Sequence, residues 1–210
     1  MLEVVFILDR SGSMSGLEAD TIGGFNSMLE KQKAESDDVV WSTVLFDHDQ
    51  TVIHNRVPIQ KVEPLTEKDY YVRGTTALLD AVGGAIHHIG NSHKYAKEGD
   101  VPEKTMFVIT TDGMENASRE YSYHHIKHMI ERQKERYGWE FIFLGANINA
   151  ERVGRRMGIR EDRAATYTND GRGIRQNFET VSCAIRKMED FGVLDDDILE
   201  DIREDHRSRK

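Results

Sequence analysis

Leu2-Glu3-Val4-Val5-Phe6-Ile7-Leu8-Asp9-Arg10-Ser11-Gly12-Ser13-Met14 is the stretch that decides the fold. An apolar run from Val4 to Leu8 stops at a carboxylate, and two hydroxyls follow at Ser11 and Ser13. A short, continuous apolar run of this kind reads as a strand buried on both faces, as in a parallel sheet covered by helices. The D-x-S-x-S turn then stands where the strand ends, and ligand sites in open α/β sheets gather at the carboxyl ends of strands. A carboxylate with hydroxyl oxygens is hard-ligand chemistry. It suits Mg²⁺ or Mn²⁺ and suits copper or zinc poorly.

Alone the pentapeptide says little, because Ser and Gly are ordinary turn residues. Two later stretches add to it. Arg73-Gly74-Thr75-Thr76-Ala77-Leu78-Leu79-Asp80 places hydroxyls just before an apolar helical pattern. Lys104-Thr105-Met106-Phe107-Val108-Ile109-Thr110-Thr111-Asp112-Gly113 is a second buried-strand pattern that again ends in Asp and Gly. Three turns therefore each offer oxygen ligands.

This order of motifs resembles the von Willebrand factor A domain superfamily and its metal-ion-dependent adhesion site. The family pattern is D-x-S-x-S, then a Thr in a G-G-T-like turn, then an Asp in a T-D-G-like turn. Carried over residue by residue, Asp9, Ser11, Ser13, Thr75 and Asp112 match, with Thr76 as the alternative threonine because Arg73 stands where the family often has a first glycine. The spelling Asp9 to Met14 is similar to the microbial branch, and the resemblance runs from the first strand to a helix ending near Phe191. It implies a Rossmann-like α/β fold: a mostly parallel sheet of about six strands, one antiparallel edge strand and helices on both faces.

For function the resemblance implies a Mg²⁺ (or Mn²⁺) ion held directly by Ser11 and Ser13. Thr75 would alternate between direct and water-mediated contact, and Asp9 and Asp112 would act mainly through water. A cation held by neutral hydroxyls keeps much of its charge and an open position, which an Asp or Glu of a partner protein can fill. The expected role is a non-enzymatic adaptor in multi-protein machines, including those built around ring ATPases. By the same analogy, binding would shift the helix carrying Ile174 to Met188. Met14, Arg73, Met114 and Glu115 are expected on the partner-facing rim, with Ser15, Gly16, His48 and Asn116 beside them.

Composition narrows the alternatives. The chain has 210 residues, enough for one domain with a sizeable core, and a formal net charge of −9. An acidic balance argues against nucleic-acid binding, which needs a basic face. Cys183 is the only cysteine, so no intrachain disulfide forms and a reducing compartment is the natural reading. No basic segment precedes Val4 and no apolar run approaches the roughly 20 residues that span a bilayer, so the expected location is cytoplasmic, away from membranes.

Periodicity fills in the rest. Strands are expected at 2–8, 39–46, 50–57, 105–110, 139–144 and 164–167, with Asp47-His48-Asp49 as a hairpin turn that makes the second and third antiparallel. Helices are expected around Leu17–Leu29, Leu78–Ile89, a segment capped by Ser118, 149–157 and Ile174–Met188, with a short one capped at Thr66. Residues 1–192 form the domain, and 193–210 read as a charged tail that frays.

Competing chemistries fail on spacing. A haloacid-dehalogenase-like phosphohydrolase would use Asp9 as nucleophile, but its acid/base Asp would stand where Ser11 does. Gly12-Ser13-Met14-Ser15-Gly16 is no serine-hydrolase elbow, and no phosphate-binding glycine loop appears. His124 and His128 stand four apart, yet the Glu of a zinc-protease motif is replaced by His125, so a solvated helix face is the better reading; His87, His88 and His93 read the same way. Arg152, Arg155, Arg156, Arg160 and Arg163 form a basic segment with acidic neighbours Glu151, Glu161 and Asp162, and read as solvated surface. A domain with a vestigial site is the remaining alternative.

Overall fold

The computed structural model describes residues 1–97 and 99–209. In chain order the elements are β1 Leu2–Asp9, α1 Glu18–Glu35, β2 Val39–Phe46, β3 Gln50–Pro58, α2 Leu78–Tyr95, β4 Lys104–Thr111, α3 Tyr123–Tyr137, β5 Glu140–Ala146, α4 Ala150–Arg156, β6 Ala164–Tyr167, α5 Gly171–Asp190 and α6 Glu200–Ser208. They build one six-stranded sheet in the order β3-β2-β1-β4-β5-β6. Every pairing is parallel except β2 with β3, which the short Asp47–Asp49 turn forces to be antiparallel.

Alternation along β1 explains the two cores. Val4, Phe6 and Leu8 face one layer, packed with Phe25 and Leu29 of α1 and Ile174, Phe178 and Ile185 of α5. Val5 and Ile7 face the other, packed with Val82 and Ile86 of α2 and Ile126 and Ile130 of α3. All eight β1 residues are buried, as expected for a central strand covered on both faces. Phe6 stacks on Trp41 at 5.3 Å between centroids, and Phe25 meets both rings edge-on, an arrangement that adds about 0.5–1.5 kcal/mol per pair beyond area burial.

Three expectations change on contact with the structure. Thr66–Asp69 makes a turn, with Asp69 Oδ2 accepting from the Thr66 amide (2.9 Å) and hydroxyl (2.7 Å), and no helix follows. Ser122, not Ser118, caps α3, accepting from the His125 amide at 3.2 Å. The segment after Gly192 does not fray. It turns back, forms α6, and seats Leu194, Leu199 and Ile202 in the core layer shared with α5. Those three apolar residues are sparse among acids, but Ile202 lies three residues after Leu199, which puts both on one helical face. Among the described residues, no helix is long and apolar enough to cross a membrane.

The strand order places the crevice. The chain moves outward from β1 to β2 and β3, then returns to the opposite side of β1 for β4. The loops after β1 and β4 therefore diverge from adjacent strand ends, leaving the opening that open α/β sheets use for ligands. Asp9 and Asp112 stand at those two ends.

Candidate metal centre

Asp9 is the last residue of β1 and is 1% exposed. Its Oδ1 accepts from the Ser11 amide at 2.7 Å and its Oδ2 from the Thr111 hydroxyl at 2.6 Å. Across the strand boundary, the Ser13 hydroxyl donates to Asp112 Oδ1 at 2.5 Å, and Ser11 Oγ lies 3.2 Å from Ser13 Oγ. The carboxamide of Asn169 donates to Asp112 Oδ2 at 3.2 Å, and that of Asn147 to the Asp112 carbonyl at 3.1 Å. Asp9, Ser11, Ser13 and Asp112 thus come together at one point.

The threonine turn contributes from above. Thr76 is 3% exposed, whereas Thr75 is exposed. A Cβ on Gly113 would lie 3.4 Å from Ser13 Oγ and 3.8 Å from Thr76 Oγ1, so both hydroxyls converge beside this glycine. Asn116 fixes Thr76 from both sides: its Oδ1 accepts from the Thr76 amide at 2.9 Å, and its amide donates to the Thr76 carbonyl at 3.1 Å. Of the two threonines, Thr76 is the one this geometry brings to the hydroxyl cluster.

Both carboxylates are electrostatically unsatisfied. Burial pushes the Asp9 carboxyl up to about 6, against the opposing bonds from Thr111 and Ser11, with the charge of Asp112 adding to the rise. Burial also raises Asp112, against bonds from Ser13 and Asn169. Among the described residues every partner of these carboxylates is neutral. Buried charges are normally paired or bound to a metal. Two acids and three hydroxyls with no sulfur or imidazole form a donor set for a hard dication such as Mg²⁺ or Mn²⁺, so the residues fit that group.

Arg10 holds the loop in place from below. Its guanidinium is buried: Nε donates to Asp47 Oδ2 (2.8 Å), Nη2 to the Thr51 hydroxyl (2.9 Å) and Nη1 to the Asp69 carbonyl (3.3 Å). Arg73 Nε reaches the same Asp47 oxygen at 2.8 Å, and the Tyr71 ring lies under both guanidinium groups at 5.1 and 5.8 Å. The Tyr70 hydroxyl donates to the Asp9 carbonyl at 2.6 Å, and Gly12 donates to the Gly74 carbonyl at 3.2 Å, tying the two loops together.

Asp47, His48 and Asp49 form a second cluster whose ligand atoms lie within 4.8 Å of one another. Burial alone would raise Asp47, but bonds from Arg73 and the Asp49 amide and the charge of Arg10 outweigh it and hold the carboxyl below its ordinary value. A dication there would face two guanidinium groups already bound to the best ligand, so this cluster is the poorer metal site.

The rim differs from its expected composition. Met114 is 73% exposed and Arg73 is partly exposed. Met14 is buried in the core layer under the loop and does not reach the rim. Glu115 turns inward: its carboxylate accepts from the amides of Leu79, Ala117 and Ser118 and from the Ser118 hydroxyl. It organises the turn against the start of α2 and has no oxygen left over for a partner. Thr111, Asn169, Arg10 and Tyr70 were not anticipated in the site. Thr111 and Arg10 stand inside the quoted motifs, beside Asp112 and Asp9; Asn169 and Tyr70 are distant or look like ordinary loop residues.

This architecture defines a von Willebrand factor A-like fold. No family model matches the chain, and no curated protein matches it; solved structures do. The von Willebrand factor domain of a type V pilus tip protein from Porphyromonas gingivalis superposes with a TM-score of 0.64 at 11% identity, over 93% of this chain and 98% of that one. The conserved hypothetical protein BatB from Bacteroides thetaiotaomicron gives 0.51 at 15% identity, over 90% and 99%. The PilB minor pilin from Streptococcus sanguinis gives 0.59 at 14% identity over 92% of this chain, which spans only 63% of the pilin. At such identities the likeness establishes the fold alone.

Proposed function

We propose that this protein is a divalent-metal-dependent protein-interaction domain, not an enzyme. Ser11, Ser13 and Thr76 would hold Mg²⁺ or Mn²⁺ directly, with Asp9 and Asp112 accepting from its bound waters. When bound, the ion supplies an open Lewis-acid position for an Asp or Glu of a partner protein. The observation that carries the reading is the pair of buried, cation-free carboxylates facing three hydroxyls at the β1/β4 crevice. The geometry favours Thr76 over Thr75, since only Thr76 is buried at the cluster.

The chain's own residues set what the site does. Arg10 and Tyr70 fix the loop so that Ser11 and Ser13 need no rearrangement to converge. Asn169 joins Asp112 to the segment that enters α5 two residues later, and through it we propose that partner binding shifts α5. The exposed Met114 supplies an adaptable apolar contact at the rim. A haloacid-dehalogenase-like phosphohydrolase reading is disfavoured, because Ser11 stands where its acid/base Asp would be. Neighbours of the same fold include pilus proteins, which is consistent with a role in protein contact.

The test is capture of partners from lysate of the source cell by wild type and Asp9→Ala, each with Mg²⁺ and with EDTA. A protein retained only by wild type with Mg²⁺ supports the proposal. Equal recovery in all four conditions contradicts it.

A further inference from the structure

At the opposite end of the sheet from the carboxylates, the C-terminal half of α2, the loop before β4, the C-terminal half of α3 and Trp139, just before β5, line an open cavity of about 580 Å³. β4 separates the two ends: its eight residues span roughly 26 Å at about 3.3 Å each. The floor is apolar and buried, made of Ile86, Pro102 and Trp139, with Trp139 only 4% exposed. At the mouth stand Lys94, Arg132 and Gln133. The chain carries a net charge of −9, yet among the described residues none lining this cavity is acidic.

The state of those polar groups is the informative point. Most arginines of this protein are spent on carboxylates or carbonyls: Arg10, Arg160, Arg163 and Arg203 all have such partners. Arg132 is exposed and Gln133 half-buried, and neither side chain has a hydrogen-bond or ion-pair partner among the described residues. Among the described residues Lys94 contacts only the face of the Tyr95 ring, at 5.2 Å. An apolar floor with a few convergent, unspent polar groups is the pattern of a small-molecule site, and the volume lies within the usual ~300–1,000 Å³. A guanidinium binds a carboxylate through two parallel hydrogen bonds, and a flat apolar floor lined by an indole favours a planar body. Two cations are too few for a polyanion such as nucleic acid.

We infer that this cavity is a second binding site, for a small aromatic carboxylate whose ring lies against Trp139 and whose charge is held by Arg132 with Lys94 beside it. The site is independent of the metal reading. α2 starts at Leu78, two residues after Thr76, and its last turns carry the cavity-lining His93 and Lys94, so a ligand here touches the helix whose other end follows the threonine turn.

Calorimetry with 2-naphthoate and its neutral isostere 2-naphthamide tests this, with NMR of the two indole NH resonances. All titrations are made in EDTA on the Asp9→Ala chain, so that the carboxylate cannot bind through a metal. Expected are one naphthoate per chain, a shift of the Trp139 resonance with Trp41 unmoved, and at least tenfold weaker binding both for the amide and in Arg132→Gln. Lys94→Gln, on an exposed side chain, provides a second variant that leaves the fold intact and is expected to weaken naphthoate several-fold. Equal affinity for acid and amide, unchanged affinity in Arg132→Gln, or no binding at millimolar naphthoate would each overturn the inference.

Discussion

Replacing Arg10 by Met keeps the length of the stem and removes the guanidinium, which makes it a sharp probe of how the metal loop is held. Arg10 is 2% exposed and Asp47 is 0% exposed. The variant loses three hydrogen bonds, including the charge-assisted one to Asp47 at 2.8 Å. Removing one partner of a buried pair costs about 3–5 kcal/mol when the other charge is left alone. Here Asp47 keeps Arg73 at 2.8 Å on Oδ2 and the Asp49 amide at 2.9 Å on Oδ1, so the loss falls at the low end, about 3 kcal/mol. For a chain of this size that lowers Tm by roughly 6–12 °C. Arg73 is more exposed, and Arg73→Ala alone is expected to cost no more than about 1 kcal/mol. The double variant strands Asp47 without any cation, so it should lose about 1–2 kcal/mol more than the sum of the singles. Urea unfolding in EDTA, at constant m, measures all three. A loss below 1 kcal/mol in Arg10→Met, or strict additivity in the cycle, would refute the idea that Asp47 is the shared anchor of the two loops.

Further outcomes follow from the same geometry. The Asp47 carboxyl is held below its ordinary value of 3.8, so its contribution to stability is fully present above that pH and is lost as pH falls through the lower, folded value; the stability gap between wild type and Asp47→Asn should therefore be constant from pH 7 to about 4.5 and close only below the ordinary carboxylate range. Gly74 has φ +67, and a Cβ there would lie 2.1 Å from His48 Nδ1; Gly74→Ala should cost about 2–3 kcal/mol, falling to about 1 kcal/mol in a His48→Ala background where only the backbone strain is left, as read by denaturant titration. Thr76→Val should abolish the rise in Tm produced by millimolar Mg²⁺ or Mn²⁺, while Thr75→Val keeps it. Asn169→Ala, which removes a donor to Asp112, should weaken metal affinity by about tenfold, measured by titration.

The fold was legible because its central strands are continuous apolar runs cut off by polar turns. Val4–Leu8 and Met106–Ile109 could not be amphipathic helices, and the hairpin at Asp47–Asp49 left β3 only an antiparallel place. The carboxylate and serine positions were legible because the D-x-S-x-S turn and Thr111-Asp112-Gly113 are local in sequence. What escaped was whatever depends on side-chain direction. Met14 and Glu115 sit in the right loops but point inward, one into the core and one onto three amides. Ser118 and Ser122 both precede an apolar face, and only the demands of Glu115 and Asp80 on Ser118 decide which one caps α3. Asn169 stands 57 residues from Asp112, and nothing local marks it. The last helix escaped because its burial rests on three apolar residues whose partners lie on α5 and β6.

The central claim is that Asp9, Ser11, Ser13, Thr76 and Asp112 form one metal site. The most direct test is equilibrium titration of the chelator-stripped protein with Mn²⁺, comparing wild type, Asp112→Ala and the His48→Ala/Asp49→Ala double variant. The account predicts one ion per chain in wild type and in the double variant, and none in Asp112→Ala. Binding that survives in Asp112→Ala and vanishes in the double variant would place the ion at the hairpin and contradict the account.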